Sequence, residues 1–330
     1  MHVESKRRGF CAFSTSNLTL IIIILLSLFA YSSSAAVTTV SQGYFNLNFY
    51  NLGDNNGAET GQANWTAEQM TDVAASTGAW SGGITNVAGR QIEVDLFWNE
   101  LNVYGTSVLG GSGSYRIADG TTIWNLGEYV WKEEDNPGSS PFDTIIQYDI
   151  TAAGVSWNFG ADAPGAGEID FRSVVTHELG HSLGWDSSFD HDDWGWFSTS
   201  YGGLTAWDKN LVDSAGNRAE SGSAGTPGNF NQTDSPIFFD GANAVILYGG
   251  DVPIYAPDPY QPGSSLSHVD EGWLGGLLMS PSIGTMQMNR DVSDLEWAMM
   301  TDMGWTVVPE PATGILFAIG ILGLTRKKTG

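Results

Sequence analysis

Cysteine is almost missing from this chain: among 330 residues there is one, Cys11. It falls in an N-terminal segment with the marks of a leader, so the remaining body is expected to have no disulfide and no thiolate. Any metal it holds must then be ligated by histidine and carboxylate, with no cysteine to sit on that metal as an inhibitory switch. Basic residues are scarce as well, 13 Lys and Arg against 37 Asp and Glu. Setting aside residues 1–35 and 309–330 leaves 7 basic and 35 acidic residues, a net charge near −28. Nucleic acid and anionic membrane both repel such a body, so neither is expected as a partner. Its carboxylates serve solubility, with Ca²⁺ as a second use. The two long apolar runs, 18–30 and 312–324, have 13 residues each, too few to span a bilayer comfortably.

Both runs read as processing signals. Lys6, Arg7 and Arg8 precede the first, and small residues from Ser33 to Ala36 follow it, the layout of a secretory signal peptide over 1–35. At the other end Val308-Pro309-Glu310-Pro311 leads into Ala312–Leu324 and then Arg326-Lys327-Lys328. This order resembles the PEP-CTERM sorting signal of Gram-negative bacteria. The resemblance implies an exosortase partner, a transient inner-membrane tail before processing, and delivery to the cell surface or extracellular matrix.

Five histidines occur in all, and two of them stand in Val174-Val175-Thr176-His177-Glu178-Leu179-Gly180-His181-Ser182-Leu183-Gly184-Trp185. On a helix His177 and His181 share one face, a turn apart, so both imidazoles can reach one ion. Glu178 lies beside them, placed to take a proton from a water that the metal polarises. H-E-x-x-H is the signature of zinc peptidases, which makes Zn²⁺ the expected cofactor and Glu178 the expected general base.

Around this stretch the alternation of Tyr44–Tyr50, Arg90–Leu101, Asp143–Ile150 and Gly154–Phe159 predicts strands, and Asn51–Asn64 predicts a loop. Thr66 and Gln69 have capping-box spacing for a helix ending near Gly78. Asp170 and Gly184 are the expected cap and terminator of the helix carrying the histidines. Residues 105–120 are dense in glycine, 122–132 fit neither period cleanly, and 135–141 read as a turn. From 187 to 263 the composition shifts to Asp, Gly, Ser, Asn and Pro, the character of an insertion, with a short helix expected over 206–212 and a strand over 242–248. Ser293 and Glu296 again have capping-box spacing, for a helix within 291–305 that packs behind the site. These elements predict an α+β fold in which a mixed twisted sheet walls a cleft. An exposed edge strand beside the metal could hold an extended peptide there.

A catalytic zinc needs a third protein ligand. Metzincin peptidases of the short type place it six residues after the second histidine, where this chain has Ser187. Farther on, Ser267-His268-Val269-Asp270 is followed by Leu278-Met279-Ser280-Pro281, with 87 residues from His181 to His268 and 11 from His268 to Met279. This arrangement resembles leishmanolysin-like metzincins, in which an insertion precedes the third histidine and a methionine turn follows it. The resemblance implies a metal set of His177, His181 and His268, and a metzincin-like catalytic domain over 36–308. It departs from leishmanolysins in lacking their many disulfides. His191, in Asp190-His191-Asp192-Asp193, and the carboxylates Asp186 and Asp190 stay open as the third ligand. The expected function is that of an exported zinc endopeptidase acting on protein or peptide substrates. A surface or matrix protein with a structural or inactive zinc is the alternative, and a zinc hydrolase acting on other bonds is a third.

Overall fold

The computed structural model describes residues 37–85, 90–102, 107–119, 122–132, 142–191, 197–199, 203–218 and 236–308. The leader, the sorting tail and the turn expected over 135–141 lie outside them, as do the two apolar runs. Among the described residues no helix is long and apolar enough to cross a membrane.

In chain order the elements are β1 (Thr38–Gln42), β2 (Phe45–Tyr50), α1 (Ala67–Ser81), β3 (Ile92–Asn99), β4 (Gly110–Ser114), β5 (Arg116–Asp119), β6 (Thr122–Asn125), α2 (Leu126–Lys132), β7 (Thr144–Asp149), β8 (Ser156–Asn158), β9 (Glu168–Asp170), α3 (Phe171–Ser182), β10 (Phe189–His191), β11 (Phe197–Thr199), β12 (Leu211–Asp213), β13 (Ile237–Phe239), α4 (Ala242–Tyr248), β14 (Val252–Ile254), α5 (Glu271–Leu274) and α6 (Asp294–Asp302). The main sheet runs β1-β2-β3-β7-β4, with β2, β3 and β7 parallel and both outer strands antiparallel to their neighbours. A second, three-stranded antiparallel sheet joins β12, β13 and β14.

The alternating apolar residues place Phe45, Leu47 and Phe49 of β2 and Val94, Leu96 and Trp98 of β3 in the core with the inner faces of α1 and α3. Trp98 stacks on Phe171 at the start of α3, with centroids 5.2 Å apart, and Tyr148 of β7 meets the same ring edge-on at 5.1 Å. These contacts lock the N-terminal end of α3 to the sheet. Thr66 and Gln69 form the expected capping box, yet α1 continues past Gly78 to Ser81, because Val73, Ser76, Thr77 and Trp80 keep its buried face running.

Three expectations need correction. Residues 242–248 form helix α4, not a strand. Asp302 accepts hydrogen bonds from the Asn243 and Ala244 amides, at 3.0 and 2.9 Å, so a carboxylate from α6 satisfies the first turn despite the β-prone Val245 and Ile246. The short helix expected over 206–212 is a 3₁₀ turn, Asp208–Asn210, leading directly into β12. The strand expected over 154–159 shrinks to β8, paired in parallel with β9, and leaves Val155 exposed. The span 187–263 is also more than an irregular insertion, since it supplies β12, β13, β14 and α4 to the core that runs on through Trp305.

Candidate metal centre

Helix α3 begins at Asp170, whose carboxylate caps the Ser173 amide at 3.0 Å and pairs with Arg290. It ends as expected. Gly184, at φ +92°, takes the left-handed conformation that a Schellman turn requires, with Trp185 N–H donating to Gly180 O at 3.3 Å and Gly184 N–H to His181 O at 3.1 Å. The turn brings the Trp185 carbonyl back over the helix, where His181 Nδ1 donates to it at 2.6 Å.

His177 and His181 face one way from α3, and His268 approaches from the segment that follows β14. Tyr255 N–H donates to His268 O, Asp270 N–H to Pro253 O, and Ile254 bridges Val269, so the second sheet carries His268 to the helix. The three Nε2 atoms converge: 3.0 Å between His177 and His181, and 3.2 Å from each to His268. Each ring also donates Nδ1–H to a carbonyl, His177 to Leu278 O at 2.8 Å, His181 to Trp185 O and His268 to Ser264 O at 2.7 Å. A carbonyl can only accept, so all three rings are protonated at Nδ1 and carry their lone pair at Nε2. Three lone pairs facing one another repel. A cation among them would resolve the conflict, and tetrahedral bonds of about 2.0–2.1 Å would set the nitrogens about 3.3 Å apart, close to the spacing found. Burial holds His177 down to about 3, with the neighbouring His181 adding to the effect, and it lowers His181 and His268 too. All three therefore stay neutral, as ligands must be. No fourth His, Cys, Asp or Glu joins the cluster among the described residues.

Among the rivals, Asp186 and the short-spacing position Ser187 have other partners. Asp186 pairs with Arg116 and accepts from Ser267 Oγ at 3.1 Å. Ser187 donates its hydroxyl to Asp208 at 2.7 Å. The backbones of Asp190 and His191 belong to β10, while their side chains lie outside the described residues.

Glu178 points under β4. Its Oε2 is buried with no hydrogen-bond partner among the described residues, and burial pushes the carboxyl up to about 8. A Cβ added at Gly110 would lie 2.9 Å from Glu178 Oε1 and 3.1 Å from Val174 Cγ1, so glycine lets this edge strand lie directly on the helix. No strand signal marks 110–114, where Gly and Ser offer no apolar alternation; the density of glycine was the one available hint. On the opposite side of α3, Met279 is fully buried against Gly180, where a Cβ would meet Met279 Sδ at 2.6 Å. α6 packs behind this turn as expected, with Glu296 accepting from Met279 N–H at 2.7 Å. Burial raises the Glu296 pKa, opposed by those hydrogen bonds.

The described fold closes where Val307 bridges Ile84 and Val308 N–H donates to Gly83 O at 2.8 Å. No curated protein and no solved structure matches the chain. Residues 307–328 match the PEP-CTERM protein-sorting motif, which identifies an exported protein, recognised at its C-terminus by an exosortase and associated with the surface of a Gram-negative bacterium.

Proposed function

We propose that the chain is an exported zinc endopeptidase with a metzincin-type site, ligated by His177, His181 and His268. The observation that carries this reading is the convergence of three Nε2 lone pairs at 3.0–3.2 Å, each ring fixed by a carbonyl behind it. Three protein donors with no fourth among the described residues suit a catalytic zinc, which keeps a position open, better than a structural one. Bound there, the ion supplies Lewis acidity toward water and the scissile carbonyl. Glu178 accepts a proton from the attacking water and delivers it to the leaving amine. Its high proton affinity in a buried setting suits a group that must both take and give a proton near neutrality. β4 ends the main sheet, so among the described residues its outer edge has no sheet partner, and it offers backbone groups to an extended peptide alongside Glu178.

The test is zinc content together with casein hydrolysis for the purified protein and two variants. Glu178→Gln should retain zinc and lose activity by about 10²-fold or more. His268→Ala should lose both. Zinc bound without hydrolysis in the wild type would move the assignment to a surface protein with a structural ion, and an active Glu178→Gln would remove that residue from the chemistry.

A further inference from the structure

We propose that Glu296 is a positioning residue for the metal centre, acting through the Leu278–Met279 peptide to fix His177 against His268. The inference rests on the reading of those histidines as metal ligands. Glu296 sits at the third position of α6, where the Ser293 capping box would be satisfied by a side chain at the surface. Instead it is fully buried, and among the described residues no cation pairs with it. A carboxylate in that setting is costly unless its oxygens are both well used. Here they divide the work. Oε2 accepts from Ser293 N–H and Oγ, at 2.8 and 2.7 Å, and completes the cap. Oε1 reaches away from the helix to Met279 N–H, at 2.7 Å.

The residues it holds are a junction between the two sources of ligand. Leu278 O receives Nδ1–H of His177, from α3. Met279 O receives the N–H of Val269, the residue next to His268, at 3.0 Å. The methionine side chain fills the space beside Gly180, between the two helical histidines in sequence. Displacing this turn therefore moves the carbonyl that orients His177 and the segment that carries His268 in the same motion. Ligand sets supported by such outer hydrogen bonds lose about 10–100-fold in metal affinity when the support is removed.

Glutamine at 296 separates the two jobs. Its single carbonyl oxygen can serve the cap, as glutamine does in many capping boxes, and the amide NH₂ then faces the Met279 N–H, donor against donor. Ser293→Ala does the converse, weakening the cap while leaving the bond to Met279. Zinc dissociation constants by chelator competition, with unfolding midpoints of the metal-free proteins, would be measured for wild type, Glu296→Gln and Ser293→Ala. The expected result is zinc affinity at least tenfold weaker in Glu296→Gln and within twofold of wild type in Ser293→Ala, although both unfold more readily. Equal affinities in all three, or losses that track unfolding in both variants, would reduce Glu296 to a helix cap and overturn the proposal. A wild type that binds no zinc would instead overturn the metal site itself.

Discussion

Gly180 stands inside H-E-x-x-H, and replacing it with alanine sets two effects of opposite sign against each other. An interior helical glycine costs about 1 kcal/mol relative to alanine, so propensity alone predicts a more stable protein. The added Cβ, however, would fall 2.6 Å from Met279 Sδ, 2.8 Å from Trp80 Cζ2 and 3.0 Å from Met279 Cε. Neither neighbour can withdraw cheaply. Trp80 is fully buried, donates its indole N–H to Thr176 O at 2.7 Å and packs edge-on against Trp297. The Met279 backbone is held on both sides, by Glu296 and by Val269. Overpacking a rigid site costs about 1–3 kcal/mol, and pinned neighbours on both sides place this one in the upper half of that range. Gly180→Ala is therefore expected to destabilise the metal-free protein by about 1–2 kcal/mol, with loss of zinc affinity as the methionine turn is pushed off the helix. Gly78 provides the control, an exposed glycine in α1 with nothing within 4 Å of an added Cβ. Gly78→Ala should stabilise by about 0.5–1 kcal/mol. Urea unfolding of both variants measures the difference; if Gly180→Ala gains stability as Gly78→Ala does, Met279 and Trp80 do not pack on α3 as described.

Glu178 has its folded pKa raised to about 8 by burial, so its contribution to stability is fully present below the unfolded value near 4.5 and is lost as pH rises through about 8. Metal-free Glu178→Gln should match wild type at pH 4.5 and exceed it increasingly above, by about 1.4 kcal/mol per pH unit as an upper slope; equal urea midpoints at pH 4.5 and 8 would contradict a carboxylate raised by burial. Gly184→Ala should cost about 3 kcal/mol in the same assay. It forces a side chain to φ +92° and drives its Cβ to within 2.6 Å of Glu128 Cδ, a buried carboxylate paired with Lys132; a loss below about 1 kcal/mol would mean the Schellman turn is dispensable.

The parts of this fold that are legible in the sequence are those whose signals are local. β2, β3 and β7 announce themselves because the core takes every second side chain, and α3 and α6 because Asp170 and Ser293 cap them through their own next residues. What is illegible depends on a partner far along the chain. α4 reads as a strand because its first-turn amides are satisfied by Asp302, 59 residues beyond Asn243. β4 has no pattern because its role is to be thin, and the requirement for glycine at 110 exists only once Glu178 lies beneath it. The same holds at the site. His177, Glu178 and His181 follow from one helical turn, whereas His268, whose ring meets them from 87 residues on, is legible only through the resemblance carried by the Leu278-Met279-Ser280-Pro281 stretch that follows it.

The chain's return to His268 bears on why the position six residues after His181 is a serine. Shortly after Gly184 two residues with ligand-type or hydroxyl side chains are committed elsewhere, Asp186 to Arg116 and Ser187 to Asp208. Asp208 is a fully buried carboxylate that also accepts from the amides of Ser188 and Thr205, at 3.0 and 3.1 Å, so the chain leaving α3 is clamped against the 3₁₀ turn that opens the second sheet. The sheet then runs β12, β13, β14, and its last strand hands its register to the histidine through Tyr255 N–H and the Ile254 bridge to Val269. Ser187 N–H donates to the returning segment, to Ser267 Oγ at 3.1 Å, one residue before His268. Departure and return are thus stitched to each other beside the metal centre. The intervening residues act as the arm that delivers the proposed third ligand, and the position that a short-type metzincin would give to histidine is used here to anchor that arm.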